Sequence, residues 1–496
     1  MKSKKEGKLE EESTYSLFLV SEKEIKKSPV LSSLEKAYVE RQWAKGKSLS
    51  YFPLPVAHAV VVFSEVKSAL KGGSSDEELE KIRICASEHI ALSKERKEFT
   101  WHIQDESEQK SKVEAFMEGL LLSSYCFDFF KTKPFPLKEK DKSKILSDSL
   151  TGKFNFTLES TVFSEVEFKV LQQVCREINR VKYLVDLPFS ALNASQLAEI
   201  AIEGAEKLKI EANRWSVEKI KKSGMGGLLG VNQGSIDEPS FTELTWKPRK
   251  TVNKNPIILI GKGVVFDAGG MNIKTGDYMS DMKIDMAGAA MVLGIIHIIA
   301  FLKLPLFIKV LIPSTDNRLN GNALVPGDVI TMYNGSTVEM VNTDAEGRLL
   351  LADAVAYAQK FKPELIFTMA TLTGAATRAL GSQGIAVMQE KAEDQVLALT
   401  KAGDITHERL CFFPMWKEYE KELESEVADL KNCGSGYAGM ITAAKFIAYF
   451  TEVPLVHLDV AGVAFLHKKD AYRGIGATAT GVRMMVEYFK NYALKK

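Results

Sequence analysis

The rhythm of apolar and polar positions changes part-way along the chain. Before residue 160, short β-branched or aromatic runs at Tyr15–Val20, Ala57–Phe63 and Phe99–Ile103 are separated by charged or Gly/Ser-rich segments such as Lys71–Glu77, a pattern that predicts strands between loops. Val113–Phe130 is apolar at helical spacing, and the lysine-rich, proline-containing stretch Lys131–Lys144 reads as a surface loop. Ser164–Leu184 is a long helical pattern able to connect two domains. After residue 185, strands are predicted at Pro256–Ile260, Leu306–Ile312, Glu364–Met369 and Leu455–Val460, with helices at 287–302 and Leu350–Lys360 between them. Strands this apolar are buried on both faces, as in a sheet sandwiched by helices. In such sheets ligands collect at the carboxyl ends of the strands, so chemistry is sought there.

Composition narrows the class without naming the chemistry. A chain of 496 residues suits two to four domains, or two large ones. Its 45% hydrophobic and 26% charged residues exclude a wholly disordered or fibrous chain. Lys plus Arg number 65 and Asp plus Glu 64, so no strong global field draws the molecule to nucleic acid or an anionic membrane. Five cysteines, at 85, 126, 175, 411 and 433, form no CxxC pair, and reduced thiols of a cytoplasmic protein are expected. The start, MKSKKEGKLEEEST, is charged, lacks the apolar core of a secretory signal and reads as a solvated tail. The longest apolar stretch, Ala287–Leu302, is short of the ~20 residues of a membrane helix and includes His297, so a buried helix is predicted.

Two segments carry candidate chemistry. Gly261–Gly270 (GKGVVFDAGG) follows a predicted strand and is trailed by Lys274, Asp281 and Asp285; Asn342–Leu349 (NTDAEGRL) precedes a predicted helix. Both put carboxylates in glycine-containing turns, where the backbone bends sharply and approaches a ligand. Asp344 and Glu346 are two apart and in an extended segment point to one side, with Arg348 placed to offset one charge. Carboxylates held together repel unless a cation or proton neutralises them. With Asp267 and Asp285 they form a hard oxygen donor set suited to Mg, Mn or Zn, two ions sharing bridging carboxylates being the usual hydrolytic arrangement. Blander readings stand beside this one. An Asp-x-Glu pair alone is more often a solvated turn, and a lysine beside carboxylates more often a salt bridge. Gly-Lys-Gly does not satisfy the GxxxxGK[ST] phosphate loop, and neither HExxH nor GxSxG occurs. His457 on an apolar strand reads as a satisfied core histidine, Met282 could be core, and Lys417–Glu426 reads as an exposed helix face.

The two segments resemble the signatures of the leucine aminopeptidase family, the two-metal cytosolic aminopeptidases. NTDAEGRL is that family's octapeptide. Ile260–Gly270 is similar to its VGKGxxFDSGG, with Ile260 and Ala268 replacing valine and serine. The resemblance continues through Pro326–Val329, Ala370–Ala375, Ile441–Phe446 and His457–Gly462, covers about 185 to 490, and is echoed at Glu118–Asp128. Asp316 stands where members usually carry Glu. The resemblance implies an α/β fold: a smaller N-terminal α/β domain (1–160), a linking helix (161–185) and a larger α/β/α catalytic domain with a central mixed sheet (186–496), in a homohexamer. It implies that Asp267 and Glu346 bridge two divalent ions (Zn and/or Mn, possibly Mg), that Lys262 and Asp285 complete the tighter site, and that Asp344 completes the exchangeable one. Lys274 is the implied cation that polarises the scissile carbonyl, and Arg348 holds a bicarbonate ion that relays protons. Leu372 and Gly374 belong to the implied substrate segment, and Met282, Thr371, Ala461 and Ala464 to its first side-chain pocket. The implied activity is release of N-terminal leucine or other hydrophobic residues from small peptides with a free amino terminus. The alternatives are another two-metal hydrolase, acting on phosphoesters, or a DNA-binding regulator; the charge balance and the lack of a nucleic-acid motif in the N-terminal region favour neither nucleic acid nor membrane as a partner.

Overall fold

The computed structural model describes residues 13–21, 25–27, 31–44, 49–52, 58–63, 75–92, 99–105, 109–128, 130–131 and 154–494. Residues 1–12 of the charged tail and all but the first residue of the Lys131–Lys144 stretch lie outside these. The chain forms two compact units, Met1–Phe129 with Ser147–Arg176, and Phe130–Leu146 with Glu177–Lys496.

The first unit holds β1 (Ser13–Ser21), β2 (Leu49–Phe52), β3 (His58–Phe63), β4 (Phe99–Asp105) and β5 (Phe154–Ser160), in the order β2-β3-β1-β4-β5. All neighbours are parallel except β2 and β3, so the aromatic and β-branched runs of the sequence are its strands. Helices Ser75–Leu92 and Lys110–Ser123 pack on one another. The second ends short of the predicted Phe130. The Ser123 and Ser124 hydroxyls bond back to the Gly119 and Leu121 carbonyls at 2.6 and 2.7 Å, the kind of local bond that competes with the helical ladder. The predicted connecting helix runs Glu165–Asp186. Ser164 and Glu167 cap it reciprocally: the Ser164 amide donates to the Glu167 carboxylate (2.9 Å) and the Glu167 amide to the Ser164 hydroxyl (3.3 Å).

The second unit is a nine-stranded mixed sheet between helices. The strands of this unit, in chain order, are β6 (Glu211–Trp215), β7 (Ser240–Trp246), β8 (Ile257–Gly261), β9 (Gly263–Asp267), β10 (Ile308–Asn317), β11 (Val329–Thr331), β12 (Thr337–Glu339), β13 (Leu365–Ala370), β14 (Ile385–Glu390), β15 (Leu410–Phe412), β16 (Leu430–Lys431), β17 (Leu455–Asp459) and the mutually paired β18 (Phe465–Asp470) and β19 (Gly474–Ala477). The large sheet runs β15-β14-β17-β13-β8-β10-β7-β6, with β9 also on β10, while β11, β12 and β16 make a small separate sheet. β8, β10, β13 and β17 are mutually parallel, so their carboxyl ends share one edge.

Alternation along these strands feeds two helical layers. Ile258, Ile260, Leu311 and Ile366 join the core formed with helices Gly226–Asn232 and Gly347–Ala358. On the opposite face Phe367 meets Tyr488 and Phe489 of helix Val482–Leu494 edge-on, at ring centroids 5.6 and 6.2 Å apart. Helix Ala287–Phe301 is buried from Ala287 to Ala300. Among the described residues one segment, Met282–Phe301, is long and apolar enough to cross a membrane, but the fold encloses 94% of its most apolar 18-residue stretch.

The strand and helix predictions for this unit land within a residue or two, with two informative exceptions. β10 does not stop with its apolar run at Ile312. It continues through Ser314, Thr315, Asp316 and Asn317, all buried, because the sheet carries polar side chains where its strands end. The helix predicted from Leu350 begins at Gly347, directly after Glu346. Lys417–Leu423 is a 3-10 segment, mostly exposed, with Leu423 turned in.

Candidate active site

The site lies where β8, β9, β13 and β17 end. Lys262 leaves β8 with both backbone groups fixed: its amide donates to Met369 O and its carbonyl accepts from Ala289 N, each at 3.0 Å. Asp267 ends β9, in register with Asn317 of β10. The chain then turns through Gly269 at φ +88°, a conformation that favours glycine, and the Gly269 amide donates to Asp267 Oδ1 at 2.8 Å. Asp285 closes the 3-10 turn Met282–Ile284. Asp344 sits in a turn in which its amide donates to Asn342 Oδ1 at 2.8 Å, and Glu346 occupies the cap position of helix Gly347–Ala358, where a negative charge is favoured.

Folding brings these residues, far apart in sequence, together. Ligand atoms of Asp267, Asp344 and Glu346 all lie within 4.8 Å of one another. The two lysines divide the carboxylates between them. Lys262 Nζ lies 2.7 Å from Asp285 and 2.8 Å from Glu346 Oε1, and donates to Thr371 O at 3.2 Å. Lys274 Nζ lies 2.8 Å from Asp267 Oδ2 and 2.5 Å from Asp344 Oδ1. Gly347 makes the first arrangement possible, since a Cβ there would fall 2.4 Å from Lys262 Cε. Asp281, by contrast, pairs with His467 Nε2 at 3.5 Å, apart from the cluster.

Charge is out of balance in this buried place. Four carboxylates face two ammonium groups, and Lys262, Asp267, Asp285 and Glu346 are each no more than 3% exposed. Burial, with repulsion from Asp267 and Glu346, pushes the Asp344 carboxyl up to about 7. The Asp285 carboxyl is likewise held well above the ordinary range, by burial first and by Glu346 and Asp267 next. Burial works against the charge on Lys262, but Asp285, Glu346 and Asp267 outweigh it and raise its pKa. Asp285 Oδ2 and Glu346 Oε1 accept no well-directed hydrogen bond, although the Lys262 ammonium is close to both. Hard oxygen donors with free lone pairs and excess negative charge fit divalent cations.

Arg348 is 6% exposed; its Nη1 donates to Asn432 O at 2.9 Å and its Nε has no partner, a donor set that fits a small anion. Of the residues implied for substrate, Thr371 donates to Asp285 Oδ1 at 2.9 Å, and Leu372 and Ala461 converge by their amides on Asp459 Oδ1 at 3.2 and 3.1 Å. Met282 begins the turn that ends at Asp285, Gly374 opens helix Gly374–Leu380, and Ala464 is buried beyond β17.

Four buried polar residues that support the site were not singled out as site residues from sequence. Asn317 Nδ2 donates to Asp267 Oδ1 (2.9 Å) and to Thr343 O (3.0 Å), joining the two motifs. Thr343 accepts from Asn272 N and donates to Gly269 O, at 2.8 and 2.7 Å. Asn432 Oδ1 accepts from Val341 N (2.8 Å) while its Nδ2 donates to Asn342 O (2.7 Å), bracketing the NTDAEGRL turn. Asp459 holds the Leu372 turn by accepting alone, from Leu372 N at 3.2 Å and from the Thr373 hydroxyl at 2.7 Å. Thr343, Asn317 and Asp459 lie inside or beside motifs that sequence already marks, whereas nothing in the chain around Asn432 signals its role. His457 is only half satisfied: Nδ1 pairs with Thr368 Oγ1 at 2.8 Å, Nε2 has no partner, and burial lowers its pKa to about 3.

The sequence matches the catalytic domain of the cytosol aminopeptidase family over residues 179–486. A "Probable cytosol aminopeptidase" of Chlorobium limicola is 41% identical over 386 residues, covering 76% of this chain and 75% of the relative. The cytosol aminopeptidase structure from Coxiella burnetii is similar at TM-score 0.78 and 25% identity, covering 99% of this chain and 98% of that one. The bottromycin maturation enzyme BotP in complex with Mn shares the fold at TM-score 0.80 and 23% identity, over 97% of this chain and 99% of its own.

Proposed function

The chain belongs to the cytosol aminopeptidase family of metallo-exopeptidases, and we propose that it releases N-terminal leucine and other hydrophobic residues from small peptides in the cytoplasm, using two divalent ions. The observation that carries this reading is the charge-imbalanced group of buried Asp267 and Glu346 with half-buried Asp344, and buried Asp285 beside it.

In this reading Asp267 and Glu346 would hold both ions, Lys262 and Asp285 would complete one site, and Asp344, with its backbone carbonyl, the other. Zn and Mn suit these donors, and Mg is tolerated. When bound, such ions supply Lewis acidity, acidifying water and polarising a peptide carbonyl. The chain's own groups do the rest. Lys274, a half-buried cation hydrogen-bonded into the cluster, donates to the carbonyl oxygen as negative charge develops there. Arg348, whose Nε has no partner, would hold bicarbonate, which would supply a proton relay there. Residues 186–496 carry the catalysis. Met282, Thr371, Ala461 and Ala464, apolar or small, receive the first side chain, and Leu372 and Gly374 belong to the segment that holds the substrate. We further propose a homohexamer as the working assembly.

The test is hydrolysis of amino-acid amides with Zn, Mn, Mg or chelator. Leucinamide should be cleaved fastest, with the chelator abolishing turnover. Turnover that survives exhaustive chelation, or that shows no preference for hydrophobic amides, contradicts the reading.

A further inference from the structure

Asp459 ends β17 and is 1% exposed. Its carboxylate accepts hydrogen bonds from two chain segments that the sheet itself leaves untied. Pairing of β13 with β17 ends at Ala370 and Asp459, and Val460 N to Ala370 O, at 2.8 Å, joins the strands just past that last pair. Beyond it the chain turns away on both sides, through Thr371–Gly374 and Val460–Ala464. Asp459 Oδ1 takes the Leu372 amide of the first turn (3.2 Å) and the Ala461 amide of the second (3.1 Å). Oδ2 takes the Thr373 hydroxyl at 2.7 Å, and that oxygen accepts in turn from Ala376 N at 3.1 Å, in helix Gly374–Leu380. One buried carboxylate therefore fixes the spacing of the two turns and the start of a helix.

We propose that Asp459 is a specificity-determining positioning residue: by tying the Leu372–Thr373 turn to the Ala461 turn, it sets the width of the pocket that receives the substrate's first side chain. This rests on the aminopeptidase reading of the site. Leu372, Gly374, Ala461 and Ala464 all lie beyond the last β13–β17 pair, where the sheet ladder no longer sets the spacing of the two turns. Charged hydrogen bonds from a rigid strand end supply that separation without touching the substrate or the carboxylate cluster.

The experiment measures kcat and KM for L-leucinamide and L-alaninamide, with metal content, on the wild type, Asp459→Ala, Asp459→Asn and Thr373→Val. Asp459→Ala should raise KM for leucinamide about ten- to a hundredfold and erase its preference over alaninamide, while metal content and kcat stay near the wild type. Asp459→Asn keeps an acceptor for both amides and should retain most of the preference. Thr373→Val removes one contact of three and should shift the preference the same way by less; it decides the matter if Asp459→Ala does not fold. An active wild type whose leucine preference survives in Asp459→Ala and Thr373→Val overturns this inference alone. So does a parallel fall of kcat, metal content and affinity in both. A wild type inert toward both amides overturns the proposed function, and this inference with it.

Discussion

Lys262 and Lys274 each span two carboxylates within 2.8 Å, yet they stand in different surroundings. Lys262 is 2% exposed and enclosed by Gly347 and Thr371, while Lys274 comes from the loop after Gly270 and is partly open. In the proposed reaction the enclosed Lys262 is a metal-binding group and the more open Lys274 a donor to substrate. Lys274→Ala should therefore keep its metal and lose about 10²–10³ in turnover, the usual cost of one oxyanion donor. Lys262→Ala should lose metal, chiefly from one site, and Arg348→Ala should be milder than either, since water can relay the proton. Metal content and kcat on the three variants check this, and a reversal between the lysines would show that their roles are exchanged. Asp267, Asp344 and Glu346 were readable in the sequence because acidic residues in glycine turns are conspicuous. Asn432 was not, because its partners are backbone groups of residues some 90 positions away, a relation that only the fold creates.

Helix Gly347–Ala358 shows an element whose local preference and whose site disagree. Alanine is the better helix former by about 1 kcal/mol, yet a Cβ at 347 meets the end of the Lys262 side chain. Gly347→Ala should accordingly leave thermal stability near the wild type while displacing Lys262 and cutting metal binding and activity; calorimetry beside metal analysis reads both. The same helix buries Asp353, whose carboxylate accepts from Leu228 N (3.0 Å) and Tyr333 N (2.9 Å), and burial pushes its pKa up to about 7. A raised carboxyl pKa means the folded state holds the proton more tightly than the unfolded chain. Its contribution to stability is full below the unfolded value, near pH 4, and is lost as pH rises through about 7. The stability difference between wild type and Asp353→Asn should thus change between pH 4 and 7 and be flat above, by urea denaturation of chelated protein; a pH-independent difference contradicts it. At this scale the apolar strands and helices were legible from period and length alone. The polar end of β10 was not, because Ser314–Asn317 resembles a loop until the sheet buries it.

Across the whole molecule, a parallel sheet core gathers the carboxyl ends of β8, β13 and β17 at one edge, and the excess of carboxylates sits there. Repulsion among them opposes folding of the second unit, so ions that neutralise them should stabilise it. Chelation should lower the Tm by about 4 °C or more, reversibly. Recognition of a free amino terminus by this acidic edge predicts that N-acetyl-leucinamide is cleaved far more slowly than leucinamide; equal rates would mark a general amidase. If these carboxylates hold the catalytic ions, the metal stoichiometry and turnover of Glu346→Ala must show it. The variant should be folded, by circular dichroism, and should have lost ions from both sites and turnover together, since Glu346 would serve both. Wild-type stoichiometry with near-normal turnover would contradict it.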